Sequence, residues 1–348
     1  MEMLWFWLTS VLVAIYVVMD GFDFGAGILH LFVAKTNEER REILGAVGPL
    51  WDGNEVWLLA GGGTMFLAFP KVLASGFSGL YLPLFLVLWF LLLRAISIEF
   101  RSHVNDGLWR HLWDTGFTVS SIVLPILFGA ALGNVLRGVP LDASGYFELP
   151  LWTSFQVGAW PGVLDWYTVL IGVFALVTLA AHGSLFLAWK TEGPVHDRSV
   201  ALSMKLWTVV VVVWLVATVA SFAVTPALFQ NLPKAPLAWL AMAIFLAGLV
   251  VVFLAVGQKK YLLAFLGSGA FILGILAATA ACVYPVMLKS TLNPNYNLTA
   301  FNSLAGRTGL NAATGWWFIA FIIVLGYYTY LFRIHRGKVK AAVEGEGY

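Results

Sequence analysis

Charge is the scarcest commodity in this 348-residue chain: Asp, Glu, Lys and Arg together make up 11%, against about 25% in a soluble domain. Cysteine is nearly absent. The single Cys282 excludes a disulfide within the chain and any thiolate metal site. Histidine is sparse too, and of His30, His103, His111, His182, His196 and His335 only His30 and His182 fall inside apolar runs. No two of them share a helix face at metal-ligand spacing. Each therefore reads as a hydrogen-bonded or interfacial histidine, and no metal site is expected. A net charge of +2 says nothing for nucleic acid, and none is expected as a partner. Gly61, Gly62 and Gly63 stand mid-helix without the rest of a phosphate-binding pattern, which leaves close helix packing or a local distortion. The N-terminal MEMLWFW has no basic lead, and the apolar run that follows is longer than a signal core, so it is expected to stay as a membrane helix.

What the chain has in abundance is apolar surface: 60% of its residues and a mean hydropathy of +0.86. That identifies an all-α integral membrane protein crossing the bilayer many times. The apolar runs predict nine transmembrane helices at about 3–33, 48–69, 76–100, 115–136, 164–189, 201–229, 237–256, 261–288 and 312–333, each long enough for a core of about 30 Å. Fifteen of the twenty Lys and Arg residues, from Lys35 to Lys340 in the C-terminal tail, fall on one side of this arrangement; Lys71, Arg137, Lys234, Lys289 and Arg307 fall on the other. The bias puts the N-terminus outside and the C-terminus in the cytoplasm. The longest outer loop, from Arg137 to about Gly162, carries Trp152 and Trp160 at interfacial positions. The whole of 1–348 is expected to form one polytopic membrane domain. The first span exits through LFVAKTNEERRE and the fifth through LFLAWKTEGPVHDR. Two four-helix bundles (about 3–136 and 164–288) plus an extra ninth helix would account for that echo; shared exit chemistry would as well.

The first span breaks its own rule in YVVMDGFDFGAG. Asp20 and Asp23 are three apart, on one helix face. Gly21 and Gly25 form a small-xxx-small pair that admits a neighbouring backbone, so the acidic face is expected to point into the bundle. The second span repeats the theme in GPLWDGNEVWLLAGGG, with Asp52 and Glu55 again three apart. Counted inward from Lys35 and Glu42, the four acids lie about 15–22 Å deep at about 1.5 Å per residue. The third span ends LLLRAISIEFRSH, where Arg94 is the natural counter-charge, with Glu99 and Arg101 beyond it. A central Asp costs about 2.5–3.5 kcal/mol to insert, and one arginine does not balance four carboxylates. Acids gathered at one depth read as a proton path; cation binding and a purely structural Asp–Arg pair are the competing readings. Elsewhere, Tyr284-Pro285 suggests a kink, Asn297-Leu298-Thr299 matches a glycosylation acceptor, Asn37 to Glu42 reads as a solvated loop, and the 53 aromatics read as lipid-facing, interfacial or core.

Several of these stretches occur together in a known family. DGFDFGAG, WDGNEVW, FPKVLASGFSGLYLPL, FRSH, WDTG and FGAALGNVLRGVP, in that order, resemble subunit II of the cytochrome bd-type quinol oxidases. The resemblance implies a heterodimer in the bacterial cytoplasmic (inner) membrane, sometimes with a small single-span peptide. In it a haem-bearing subunit I holds haem b and haem d, while subunit II binds no haem of its own. The complex would oxidise quinol near the outer side and reduce O2 to water with protons taken from the cytoplasm. A structural quinone or an oxygen path in subunit II is a further implication. Asp20 matches the family's aspartate in DGFD and Asp52 the one in WDGN, both on the implied proton path; Glu55 stands where some relatives carry Gln. The expected roles are therefore a proton path through Asp20, Asp23, Asp52 and Glu55 with Arg94, Glu99 and Arg101 as charge partners, and no catalytic residue in this chain. A proton-coupled secondary transporter is the alternative, as is a scaffold subunit whose acids only pair with a partner.

Overall fold

The computed structural model describes residues 1–339; Lys340, counted above on the cytoplasmic side, lies outside the described residues. The chain is 78% helix. Its long helices are α1 (Glu2–Val33), α2 (Asn37–Ala68), α4 (Tyr81–Phe100), α5 (Gly107–Arg137), α6 (Trp166–Lys190), α7 (Gly193–Val224), α9 (Pro236–Gly257), α10 (Tyr261–Val283) and α11 (Arg307–Ile334), with short α3 (Pro70–Gly79) and α8 (Ala227–Asn231) between them. Among the described residues, eight helices are long and apolar enough to cross a bilayer, and α2 with α3, bent by 118°, makes a ninth if the pair is counted as one span.

Polar residues at the ends set where helices begin. Thr36 and Glu39 form a capping box at the start of α2, each accepting from the other's backbone N–H at 3.3 Å. That turns the expected loop at Asn37 into helix and starts α2 eleven residues before the apolar run. Asp106 caps α5 through Trp109 N–H, and Asp165 caps α6 through the Tyr167 and Thr168 N–H groups. Each such cap is worth about 1 kcal/mol. Prolines set the ends. The expected third span, 76–100, is divided: α3 lies across the end of α2 and α4 begins at Tyr81, because Pro70 disfavours helical geometry at Phe69 (φ −132°, ψ 56°). By the same effect Pro285 ends α10 at Val283 rather than kinking it, and the chain continues as β1 (Val286–Leu288), antiparallel to β2 (Leu298–Thr299).

Helices α1 and α6 form the centre. α1 packs against α2, α5, α6 and α10, and α6 against α1, α5, α7 and α10, while α4 leans on α5, α9 on α10 and α11 on α2. The central crossing is close because neither helix carries a Cβ there: one built on Gly25 would lie 2.1 Å from the Leu179 carbonyl oxygen and 2.6 Å from Gly183 Cα. At the end where α2 stops, the loops join into an ordered cap. Val139 N–H donates to the Lys289 carbonyl (2.9 Å), Leu149 N–H to Gly79 (3.1 Å) and Ala305 N–H to Ala68 (2.8 Å). Beneath them Trp5, Phe69, Leu141, Phe147, Leu288 and Leu298 form an apolar core of their own. Inside the same end, Arg137 is bonded by Asp165 and Asn134.

Candidate functional site: buried carboxylates around one arginine

Helix α1 carries Asp20 and Asp23 into the bundle interior, where both are fully buried. Opposite them α4 brings Arg94, also fully buried. Its Nη1 donates to Asp20 Oδ1 at 2.6 Å and its Nη2 to Asp20 Oδ2 at 3.0 Å, the bidentate fork that suits guanidinium and carboxylate. Nη2 also reaches Glu55 Oε2 at 3.3 Å, and the guanidinium carbon sits 4.3 Å over the Phe24 ring. Three acids thus surround one cation: Asp20 on it, Glu55 beside it with its side chain 24% exposed, and Asp23 one turn along α1. Asp23 Oδ2 accepts from Asn54 Nδ2 at 2.7 Å.

The inward stripe of α2 is Leu50, Asn54, Trp57, Gly61, Thr64 and Ala68, and the exposed stripe is Asp52, Val56, Leu59, Gly63 and Phe66, both spaced at the heptad intervals of a helix face. Asp52 therefore faces away from Asp20 and Asp23, and Glu55 lies at the edge between the stripes. The amide of Asn54, rather than the Asp52 carboxylate, meets the acids of α1.

Arg101 and Glu99 sit apart from this cluster. Glu99 is exposed near the end of α4. Arg101 belongs to a second buried cluster, nearer the Lys35 end of α1, built on Asp114 of α5. Asp114 Oδ1 accepts from Arg101 Nε at 2.6 Å and lies 2.7 Å from His30 Nε2; its Oδ2 accepts from Arg40 Nη1 at 2.9 Å and Arg101 Nη2 at 3.2 Å. Arg101 Nη2 also donates to Asn37 Oδ1 at 2.9 Å. Asp114 lies one residue before the apolar run of its span, so hydropathy does not single it out. The signal was there in WDTG, an acid on the same face of its helix as Thr118 and Ser121.

Two arrangements follow chemically. In the first cluster one arginine balances one of three carboxylates, and the others are balanced by protons or cations. Among the described residues no group of three or more His, Cys, Asp and Glu side chains is placed to hold a metal ion. In the second, two arginines hold one carboxylate whose four bonds tie α1, α2, α4 and α5 together.

Comparison with known proteins agrees with this architecture. The family profile described as cytochrome bd terminal oxidase subunit II matches residues 1–335. The "Cytochrome bd-I ubiquinol oxidase subunit 2" of Escherichia coli (strain K12) is 28% identical over 355 residues, covering 94% of this chain and 92% of the relative. The "Cytochrome bd ubiquinol oxidase subunit 2" of Bacillus subtilis (strain 168) is 30% identical, covering 88% and 87%. The "Probable cytochrome oxidase subunit 2" of Haemophilus influenzae is 30% identical, covering 98% and 96%. In fold, the chain superposes on a chain of the bd oxidase from Geobacillus thermodenitrificans with a TM-score of 0.75 at 16% identity, covering 96% of this chain and 98% of that one. This multi-span membrane chain belongs to the family of subunit II of the cytochrome bd terminal oxidases.

Proposed function

We propose that the chain is the haem-free subunit of a quinol:O2 oxidoreductase, paired with a haem-bearing subunit I, and that it carries cytoplasmic protons through Asp52 and Glu55 to Asp20 and Asp23. It lies in the bacterial cytoplasmic membrane, crosses it nine times, and has its N-terminus outside and its C-terminus in the cytoplasm. The Lys and Arg bias supports that orientation, and the relatives' names support quinol oxidation. The observation that carries the reading is the gathering of Asp20, Asp23 and Glu55 around the single Arg94 inside the bundle. Acids buried at membrane depth are kept where protons or ions must pass. Asp52, on the exposed apolar stripe of α2, would serve from the outer face of the helix.

The family implies haem, and the buried histidines here do not fit one. His182 Nδ1 lies 2.6 Å from Ser268 Oγ and Nε2 3.1 Å from the Val18 carbonyl, with its ring stacked on Phe265. His30 has Nε2 on Asp114 and its ring edge-on to Phe117. This supports haem binding on the partner. Membership of an oxidase family does not favour the transporter alternative.

The test is a difference spectrum and an oxygen electrode. Reduced-minus-oxidised spectra should be blank for the chain alone and show haem for its co-purified complex. Asp52→Asn should slow quinol-driven O2 uptake with haem content retained. Full turnover with normal assembly would remove the proton path; loss of haem from the variant complex would point to a structural role instead.

A further inference from the structure

The carboxylates of the first cluster have a neighbour on the same helix face that the proposed path does not use. Asp20, Asp23, Gly27 and His30 follow one another along one stripe of α1, and His30 is about 10 Å, two turns, from Asp23 toward the Lys35 end. On α5, which packs against α1, Asp114, Thr118 and Ser121 form the facing stripe. Gly27 has no Cβ because Ser121 occupies that place: a Cβ built there would be 2.0 Å from Ser121 Oγ. Ser121 thus sits against α1 between His30 and Asp23.

The unpaired atoms of this seam are informative. His30 Nδ1, Thr118 Oγ1, Ser121 Oγ and Asp23 Oδ1 are all buried without a protein hydrogen-bond partner. Buried polar atoms in such a row are the partners that ordered water takes. At the far end Arg40, its side chain 24% exposed, connects Asp114 to solvent. We propose that the α1–α5 seam is a proton inlet within this subunit, in which His30, held by Asp114, and Ser121 pass protons from water to Asp23.

The imidazole suits the position because Asp114 holds Nε2–H and leaves Nδ1 free for water. Nδ1 takes a proton from water, the Asp114 carboxylate stabilises the imidazolium so formed, and the same proton leaves Nδ1 through Ser121 and water to the Asp23 carboxylate, which becomes a neutral acid. The ring is neutral again after the transfer, with its Nε2–H tautomer unchanged. Arg40 of α2 and Arg101, at the C-terminal cap of α4, face the same carboxylate. They keep Asp114 in place as the positioning groups of the inlet. Asn37 in turn holds Arg101.

The inlet rests on Asp23 being part of a proton path, so the test separates the two claims. The purified complex with its haem-bearing partner is assayed for quinol-driven O2 uptake, with the haem spectrum as the check on assembly. General acid–base groups contribute about 10²–10⁴-fold, so His30→Ala is expected to lose at least about 10-fold, and Ser121→Ala to slow turnover as well. Imidazole added to His30→Ala should restore turnover, whereas pyrazole, which fills the same space without carrying protons near neutrality, should not. Normal turnover in both variants overturns the inlet, and so does equal rescue by the two azoles, which would mean packing alone. If His30→Ala loses haem, Ser121→Ala decides, because its hydroxyl has no protein partner to lose. Normal turnover in Asp23→Asn would instead sink the carboxylate path itself.

Discussion

Arg94 is the residue on which the charge balance of the bundle interior turns, and replacing it with Leu gives the sharpest stability prediction. The substitution keeps an apolar stem in the core but, being shorter, removes the fork from Asp20, the bond to Glu55 and the contact over Phe24. At a separation of roughly 4 Å and an effective dielectric of about 20, each full charge pair is worth about 4 kcal/mol. Measured losses on removing one partner of a buried pair are about 3–5 kcal/mol, because the remaining charge is left uncompensated. Arg94→Leu should therefore destabilise the complex by about 3–5 kcal/mol. Asp20→Asn placed on top should give part of this back, since the two residues touch and cannot act additively. The assay is thermal or denaturant inactivation of the purified complex, followed by haem absorbance, for both single variants and the double variant. An Arg94→Leu complex as stable as the parent, or a double variant whose loss equals the sum of the singles, would refute the claim that Asp20 and Arg94 form a coupled buried pair.

Other substitutions probe the scaffold. Gly25→Leu should prevent assembly, because the added Cβ alone would stand 2.1 Å from the Leu179 carbonyl oxygen; Gly257→Ala, with nothing within 4 Å of its Cβ, should assemble normally, and both are read as membrane-inserted yield of haem-containing complex. Asp165→Ala removes the cap of α6 and the carboxylate on Arg137. It should lower stability by about 3 kcal/mol or more, a cap of about 1 added to an unpaired buried charge, while leaving the reduced spectrum of surviving complex unchanged. Glu39→Gln, which weakens both the capping box of α2 and the 2.7 Å ion pair to Arg198, should cost no more than about 1 kcal/mol, since that pair is partly exposed.

Much of this architecture is legible in the sequence because membrane helices announce themselves by length and apolarity alone. The inward aim of Asp20 and Asp23 was legible too: they share a face with glycines, and a helix that buries acids must turn them away from lipid. The breaks were harder. The division at Phe69-Pro70 lies within otherwise apolar sequence, so hydropathy runs through it, and only the backbone restriction before proline marks it. Asp52 and Glu55 are three apart, yet residues so spaced still differ by about 60° around a helix of 3.6 residues per turn, enough to put Asp52 on the exposed side of α2 and Asn54 on the inner one. The pairing of His30 with Asp114 joins residues 84 positions apart. No local pattern reports such a contact: periodicity says which face a residue is on, not which helix that face meets.

The central claim is that carboxylates in this chain carry protons from the cytoplasm for oxygen reduction on a partner. Its most direct test is proton uptake, measured with a pH-sensitive dye on the cytoplasmic side of oriented vesicles holding the complete oxidase, recorded together with O2 consumption for the parent and for Asp20→Asn. The account predicts that uptake and consumption fall together by at least about 10-fold while the haem spectrum stays unchanged. Equal uptake and equal consumption in the two proteins would contradict it.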